Sequence, residues 1–143
     1  MLRPGLLAFA AASAFLGAAL YINLVEQPAR LELDPSSSLE EWRPSNRRGL
    51  LMLAVLAIIS ALLAYTDYAQ SGDVRWIIGG TLLLASWLYA YFVMTPVNIW
   101  LYAVPPRRTV HELMREWGLL EWGQTAIGLC AWAVFVWVLA LPA

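Results

Sequence analysis

Long apolar stretches alternate with short polar ones along this chain. A membrane-spanning helix needs about 20 mostly apolar residues, and four stretches are that long. They lie near residues 5–25, 49–67, 75–96 (the helix continuing to about 103) and 110–141 (apolar from about 118). The pattern predicts an all-α membrane protein, a four-transmembrane-helix up-and-down bundle in which residues 1–143 form one transmembrane domain.

The ends of these segments carry local signals. Arg3 precedes an apolar run with small residues, as in a signal peptide, but the run is longer than an ordinary signal, so we expect a retained helix. Ser38 and Glu41 fit a capping box, which predicts a short interfacial helix over residues 39–42. Pro44 would end that helix, and Ser45 or Asn46 would cap the second segment. Ser60, inside the second segment, is expected to bond to its own helix.

Composition agrees with a membrane location. Apolar residues make up 61% of the chain and charged residues only 13%, which is about half the charge of an ordinary soluble protein. The eight tryptophans suit membrane interfaces. The net charge of −1 gives no reason to expect a nucleic-acid partner. Cys130 is the single cysteine, so it forms no disulfide within the chain.

The arginines predict an orientation. The chain has no lysine, and seven of its nine arginines fall in or beside the first and third loops, against Arg3 and Arg75 on the other side. The positive-inside rule therefore places loops one and three in the cytoplasm and both termini outside it. The seven are Arg30, Arg43, Arg47, Arg48, Arg107, Arg108 and Arg115.

A polar stretch over residues 21–30 ends the first apolar segment. At about 100° per residue, Asn23, Glu26 and Arg30 share one helix face, and Glu26 and Arg30 stand i,i+4 and can pair. Two interpretations stay open. The pair is either a salt bridge that finishes the helix at the headgroups, or part of a buried site built around Glu26. In the second case Glu26 lies within bonding reach of Arg30, Arg47 or Asn98.

The third segment carries an aromatic and polar stripe. Trp87, Tyr91, Thr95 and Asn98 recur at steps of three or four residues, and Pro96 removes one backbone donor within the stripe. Pro96 therefore produces either a structural kink alone or a kink that opens a cavity.

Polar residues from all four segments converge at one end of an up-and-down bundle, the predicted cytoplasmic mouth. Such convergence indicates a site or a polar plug. His111 is the single histidine and has no cysteine nearby, so we expect no metal. The converging residues are Asn23, Glu26, Arg30, Arg47, Asn98, Glu121 and Gln124.

Three short motifs carry a family resemblance. The Asn23-x-x-Glu26-x-Pro28-x-Arg30 run, the Asn46-Arg47 pair and Thr95-Pro96-x-Asn98 resemble the anthrone oxygenase-like membrane proteins. The likeness in helix number and loop lengths extends over nearly the whole chain. The resemblance implies four transmembrane helices and, from the fungal branch, oxygenation of an anthrone to an anthraquinone without a metal or flavin motif.

Two functions compete. In the first, a cofactor-independent oxygenase-like enzyme removes an acidic C–H proton from a hydrophobic, aromatic, anthrone-like substrate. Glu26 or Glu121 would be the base, Arg47 or Arg30 the enolate partner, and Asn98 an orienting group. Substrate contacts would come from Asn23, Arg30, Trp87, Tyr91, Thr95 and Gln124. In the second, the protein binds a hydrophobic small molecule or membrane lipid, or is an accessory subunit of a larger membrane complex. A homo-oligomer is compatible with either. An unpaired carboxylate in a pocket favours the first, and a mouth filled by Glu–Arg pairs favours the second.

Overall fold

Four long helices make up most of the molecule. The computed structural model describes residues 3–106 and 109–141, and within them the helices are α1, Pro4–Leu31; α2, Pro35–Ser71; α3, Arg75–Ala103; and α4, Thr109–Ala140. Each is long and apolar enough to cross a membrane. Arg107 and Arg108, which contribute to the predicted orientation, lie outside the described residues.

The helices pack in chain order around the bundle, and α4 closes the ring against α1. The predicted all-α four-helix bundle is therefore confirmed. The ends of α1 and α3 and the starts of α2 and α4 share one end of the molecule, which we call the Arg30 end. One apolar core includes Phe15, Leu53 and Phe135, and a second, nearer the Arg30 end, includes Met94 and Trp117.

The second helix begins earlier than predicted. Asp34 is its N-cap, with a carboxylate that accepts a hydrogen bond from the Ser37 backbone N at 3.3 Å, and Pro35 occupies the first turn. The predicted capping box at Ser38 and Glu41 is wrong, since Ser38 lies inside the helix and is buried. An Asp-Pro pair satisfies the first turn better than the later serine does, because proline is pre-set for the first helical position.

Pro44 does not end a helix, contrary to the prediction. It removes one backbone donor and lies exposed, while the residues beside it are held against α3. The Tyr102 hydroxyl donates to the Arg43 carbonyl and the Arg43 guanidinium to the Tyr102 carbonyl, each at 3.3 Å. Ser45 and Asn46 are interior helix positions rather than caps, and the Asn46 amide reaches the Tyr102 hydroxyl at 3.4 Å.

Wider turns of π-helix precede Pro28 and Pro96, the prolines that lie beyond the first turn of α1 and α3. Ile22–Glu26 comes just before Pro28 in α1, and Ala90–Met94 just before Pro96 in α3. A π-turn changes the register of the backbone hydrogen bonds, and such turns are frequent at functional sites. Both turns lie at the Arg30 end, so α1 and α3 are irregular at the same end of the bundle.

Ser60 joins two helices instead of bonding within its own, which corrects the prediction. Its hydroxyl donates to the Ala8 carbonyl at 2.7 Å. Ala8, Ala57, Ala61 and Ala64 are all buried. Small side chains let helix backbones approach closely in a membrane, so a serine on α2 reaches the backbone of α1.

Acidic residues hold the helices at the opposite end of the bundle. Asp67 of α2 is buried and accepts a hydrogen bond from the Gly5 backbone N at 3.0 Å, capping α1 from another helix. Asp73, two residues before the start of α3, accepts from the Arg75 backbone N at 3.1 Å, and the N-cap position itself is Val74. The Arg75 guanidinium also bonds this carboxylate and keeps the pKa of Asp73 below its ordinary value. Local sequence gave no signal for the Asp67 contact, since Asp67 and Gly5 are distant in the chain.

A glycine pair tests the packing of α3 against α4. A side-chain carbon added at Gly79 would overlap the Phe135 ring, whereas one added at Gly17 meets nothing within 4 Å. We expect Gly79→Ala to destabilise the fold by about 1–3 kcal/mol through overpacking. Gly17→Ala is the matched control and should leave stability equal or slightly higher. Thermal unfolding of both variants in one detergent measures the difference, and equal midpoints would contradict the packing.

Candidate functional site at the Arg30 end

A buried arginine organises this end of the bundle. Arg30 is only 2% exposed, and its Nη2 donates to Glu26 Oε1 at 2.5 Å. Its Nη1 donates to Gln27 Oε1 at 2.8 Å, and its Nε and Nη2 both bond the Glu41 carboxylate. The guanidinium carbon lies 5.4 Å from the ring centroid of Trp117. The prediction that Glu26 lies within bonding distance of Arg30 is confirmed. Side chains from α1, α2 and α4 all contact this one guanidinium.

Glu26 takes part in this network through one of its carboxylate oxygens. Besides Arg30, its Oε1 accepts a hydrogen bond from the Ser45 hydroxyl of α2. Its side chain is 20% exposed. The charge of Glu26 is the counter-charge of the buried Arg30 guanidinium. Glu26 is therefore a poorer general base than its position in the sequence suggested.

Glu121 of α4 is in the opposite situation. It is only 3% exposed, and within the described part of the chain its Oε1 has no hydrogen-bond partner. Leaving an ionised carboxylate unpaired in an apolar setting is costly. This oxygen must therefore be protonated or must accept a hydrogen bond from a water molecule or a ligand.

Hydrogen bonds between α1 and α4 fix the helix that carries Glu121. The Asn23 amide donates to the Thr125 hydroxyl at 2.7 Å, and that hydroxyl donates to the Glu121 carbonyl at 3.1 Å. One turn further along α1, the Gln27 amide donates to the Met114 carbonyl at 2.6 Å. The backbone of α4 is thus anchored on both sides of Glu121 while its carboxylate is left free.

A cavity of about 1050 Å³ opens beside these groups, with walls from all four helices. This is at the upper end of the usual range for small-molecule sites. Of the ten predicted site residues, Asn23 is the one that does not line it; Asn23 supports α4 instead. The nine that line it are Glu26, Arg30, Arg47, Trp87, Tyr91, Thr95, Asn98, Glu121 and Gln124.

The predicted stripe on α3 divides between the rim and the interior of the cavity. Trp87 and Tyr91 are 45% and 68% exposed, so they border its open side rather than forming inner walls. Asn98 lies deeper, and its Oδ1 accepts a hydrogen bond from the Trp117 Nε1 at 3.0 Å. The Thr95 hydroxyl donates to a carbonyl of its own helix. The spacing changes between Tyr91 and Asn98 because the π-turn lies there.

Several site residues were missed by sequence reasoning. Glu41 had been assigned to a capping box. Nothing in the sequence pattern indicated that Gln27 would bond Arg30 and the Met114 carbonyl. Trp117, which contacts the Arg30 guanidinium, was not among the predicted site residues. Arg47 borders the cavity as predicted, but its side chain is exposed.

The described residues contain no cluster of metal-binding side chains. Among residues 3–106 and 109–141, no three His, Cys, Asp or Glu side chains come together in a way that could hold a metal ion. His111, at the start of α4, has its Nε2 2.8 Å from the Leu33 carbonyl and lies outside the cavity lining.

The buried network predicts a large cost for losing its cation. Arg30→Met leaves Glu26 and Glu41 facing each other without a counter-charge, and we expect destabilisation of about 3–5 kcal/mol. Arg48→Met is the matched control, because Arg48 is exposed, and should cost less than about 0.5 kcal/mol. Chemical denaturation in micelles measures both, and equal stability of the two variants would refute the network.

Comparison with known proteins found no similar protein. No family model, curated protein or solved structure matches the chain. The likeness to the anthrone oxygenase-like family therefore depends on the motifs quoted above, and function must be argued from the site.

Proposed function

We propose that this membrane protein is a cofactor-independent, oxygenase-like enzyme that acts on a hydrophobic aromatic substrate in the cavity. The observation that carries the proposal is the buried carboxylate of Glu121, which faces a large cavity and has no partner among the described residues. The resemblance to anthrone oxygenase-like proteins suggests an anthrone-like substrate, which is flat, apolar and acidic at one C–H bond.

The proposed reaction needs a base and dioxygen. Glu121 takes the proton from the acidic C–H group, and the carbanion gives its electrons to O₂ as a new C–O bond forms. The peroxide anion takes the proton back from Glu121, and the hydroperoxide then loses its remaining C–H proton as the O–O bond breaks, which gives the quinone and water. Glu121 suits the role better than Glu26 because no guanidinium is bonded to it.

The surrounding groups have complementary tasks. Each of the three nitrogens of Arg30 already bonds a protein partner, so Arg47 at the rim is the better partner for the developing enolate oxygen. Asn98 uses its Oδ1 for Trp117, which leaves its amide N–H₂ to orient the substrate. Gln124 lies three residues from Glu121 on α4 and also faces the cavity.

Turnover of an anthrone in the presence of oxygen tests the proposal. Purified protein should form quinone faster than protein-free buffer, and Glu121→Gln should lower that rate at least a hundredfold, the usual effect of losing a general base. Glu116→Gln, the same change at an exposed position of α4, should keep the wild-type rate. Arg47→Met should slow turnover as well. Equal rates in wild type and Glu121→Gln would remove the enzymatic function.

A second candidate is a non-catalytic hydrophobe binder or an accessory subunit. The Glu26–Arg30–Glu41 network favours it, because it fills part of the mouth with satisfied ion pairs. Anthrone binding without turnover in the same experiment would support this function over the first.

The cavity would face the cytoplasm. This proposal depends on the arginines beside the first and third loops, which lie at the Arg30 end. It follows that both termini would lie on the other side of the membrane.

Cysteine labelling from one side of a membrane tests this orientation. Ser36 and Ser71 are exposed residues at opposite ends of α2, so the same substitution probes both sides. In a Cys130→Ser background, Ser36→Cys should react with a membrane-impermeant thiol reagent only after the cytoplasmic face is opened, and Ser71→Cys before. The reverse pattern would invert the orientation.

A further inference from the structure

We propose that the same cavity binds amphiphilic organic cations, such as an aromatic or alkyl ammonium ion, with Glu121 as the counter-ion. This ligand class is separate from the oxygenation of a neutral aromatic compound, and binding alone reveals it. The proposal depends on the charges, the hydrogen-bond donors and the rim of the cavity.

The inner part of the cavity has more negative than positive charge. The carboxylates of Glu26 and Glu121 line this part, and the buried guanidinium among the described lining residues is that of Arg30. Glu41 also lines the cavity, but its side chain is 40% exposed. Arg30 bonds Glu26 and Glu41. Glu121 is the carboxylate left without a bonded cation in the described part of the chain.

Two further arginines border the cavity but do not cancel this charge. Arg47 and Arg48 line it with exposed side chains at its rim. An ion pair in a solvent-like medium is several times weaker than one at the same distance inside a protein. Exposed guanidiniums therefore do little for a carboxylate that is 3% exposed.

The hydrogen bonds lead to the same ligand class. Three donors on the helices around Glu121 already have acceptors: the Asn23 amide bonds Thr125, the Gln27 amide bonds Met114, and the Trp117 indole bonds Asn98. Among the residues that line the cavity, Glu121 Oε1 is a buried acceptor without a partner in the described part of the chain. A ligand that brings positive charge satisfies it, whereas a ligand anion would be repelled.

The open side of the cavity suits an amphiphile. Leu50 and Leu51 of α2 and Trp87 and Tyr91 of α3 line it and are exposed. Aromatic faces attract organic cations as well as apolar groups. A ligand entering from the membrane between α2 and α3 would pass these side chains and place its ammonium group beside Glu121.

A pair of probes of nearly equal shape tests the proposal. (1-Naphthylmethyl)trimethylammonium carries a positive charge, and 1-neopentylnaphthalene replaces its nitrogen by carbon and is neutral. Equilibrium dialysis against the full chain in nanodiscs of zwitterionic lipid, with empty nanodiscs as the blank, measures both. We expect the cation to bind wild-type protein at least tenfold more tightly than its neutral counterpart.

The carboxylate variants locate the charge. Glu121→Gln should lose at least tenfold in affinity for the cation and keep its affinity for the neutral probe, which also shows that the variant folds. Glu116→Gln should bind both probes as wild type does. Equal affinity of wild-type protein for the two probes overturns the proposal without any variant, and so does unchanged cation binding by Glu121→Gln. Neither result depends on quinone formation, so the proposed enzyme is tested separately.

Discussion

The guanidinium of Arg30 is the group on which the rest of this end of the molecule depends. A buried cation must be bonded by protein, and Arg30 is bonded by Glu26 and Gln27 of its own helix and by Glu41 of α2. Its face stacks over Trp117 of α4. Burying such a group gains little stability against apolar packing of similar volume. What the network provides is position, because it sets how three helix ends meet.

The cavity follows from irregular helices at this same end. Each of the turns Ile22–Glu26 and Ala90–Met94 is wider than an α-helical turn and stands just before a proline. Backbone groups freed in a membrane must find partners inside the protein, and here the Thr95 hydroxyl bonds the Ala90 carbonyl at 3.4 Å. Both turns contribute residues to the cavity lining, among them Ile22, Ala90 and Met94.

Much of the architecture was predictable because it depends on local pattern. Apolar length gives the four helices, and i,i+4 spacing gives the Glu26–Arg30 pair. Contacts between distant residues were not predictable. Glu41 reaches Arg30 because α2 starts at Pro35 and continues through Pro44. Next to Pro44, Arg43 of α2 is hydrogen-bonded to Tyr102 of α3. The choice between Glu26 and Glu121 as the free carboxylate depends on those contacts, so the sequence left it open.

The two proposed uses of the cavity differ in what happens to one carboxylate. A neutral ligand with an acidic C–H group transfers a proton to Glu121, so the charge moves onto the ligand and needs a partner such as Arg47. A cationic ligand leaves Glu121 ionised and itself supplies the missing counter-charge. Arg30 serves in neither case, because Glu26, Gln27 and Glu41 already occupy its donors. That occupation leaves the buried guanidinium of Arg30 without a bond to Glu121 in the described part of the chain, so this carboxylate is available to a ligand.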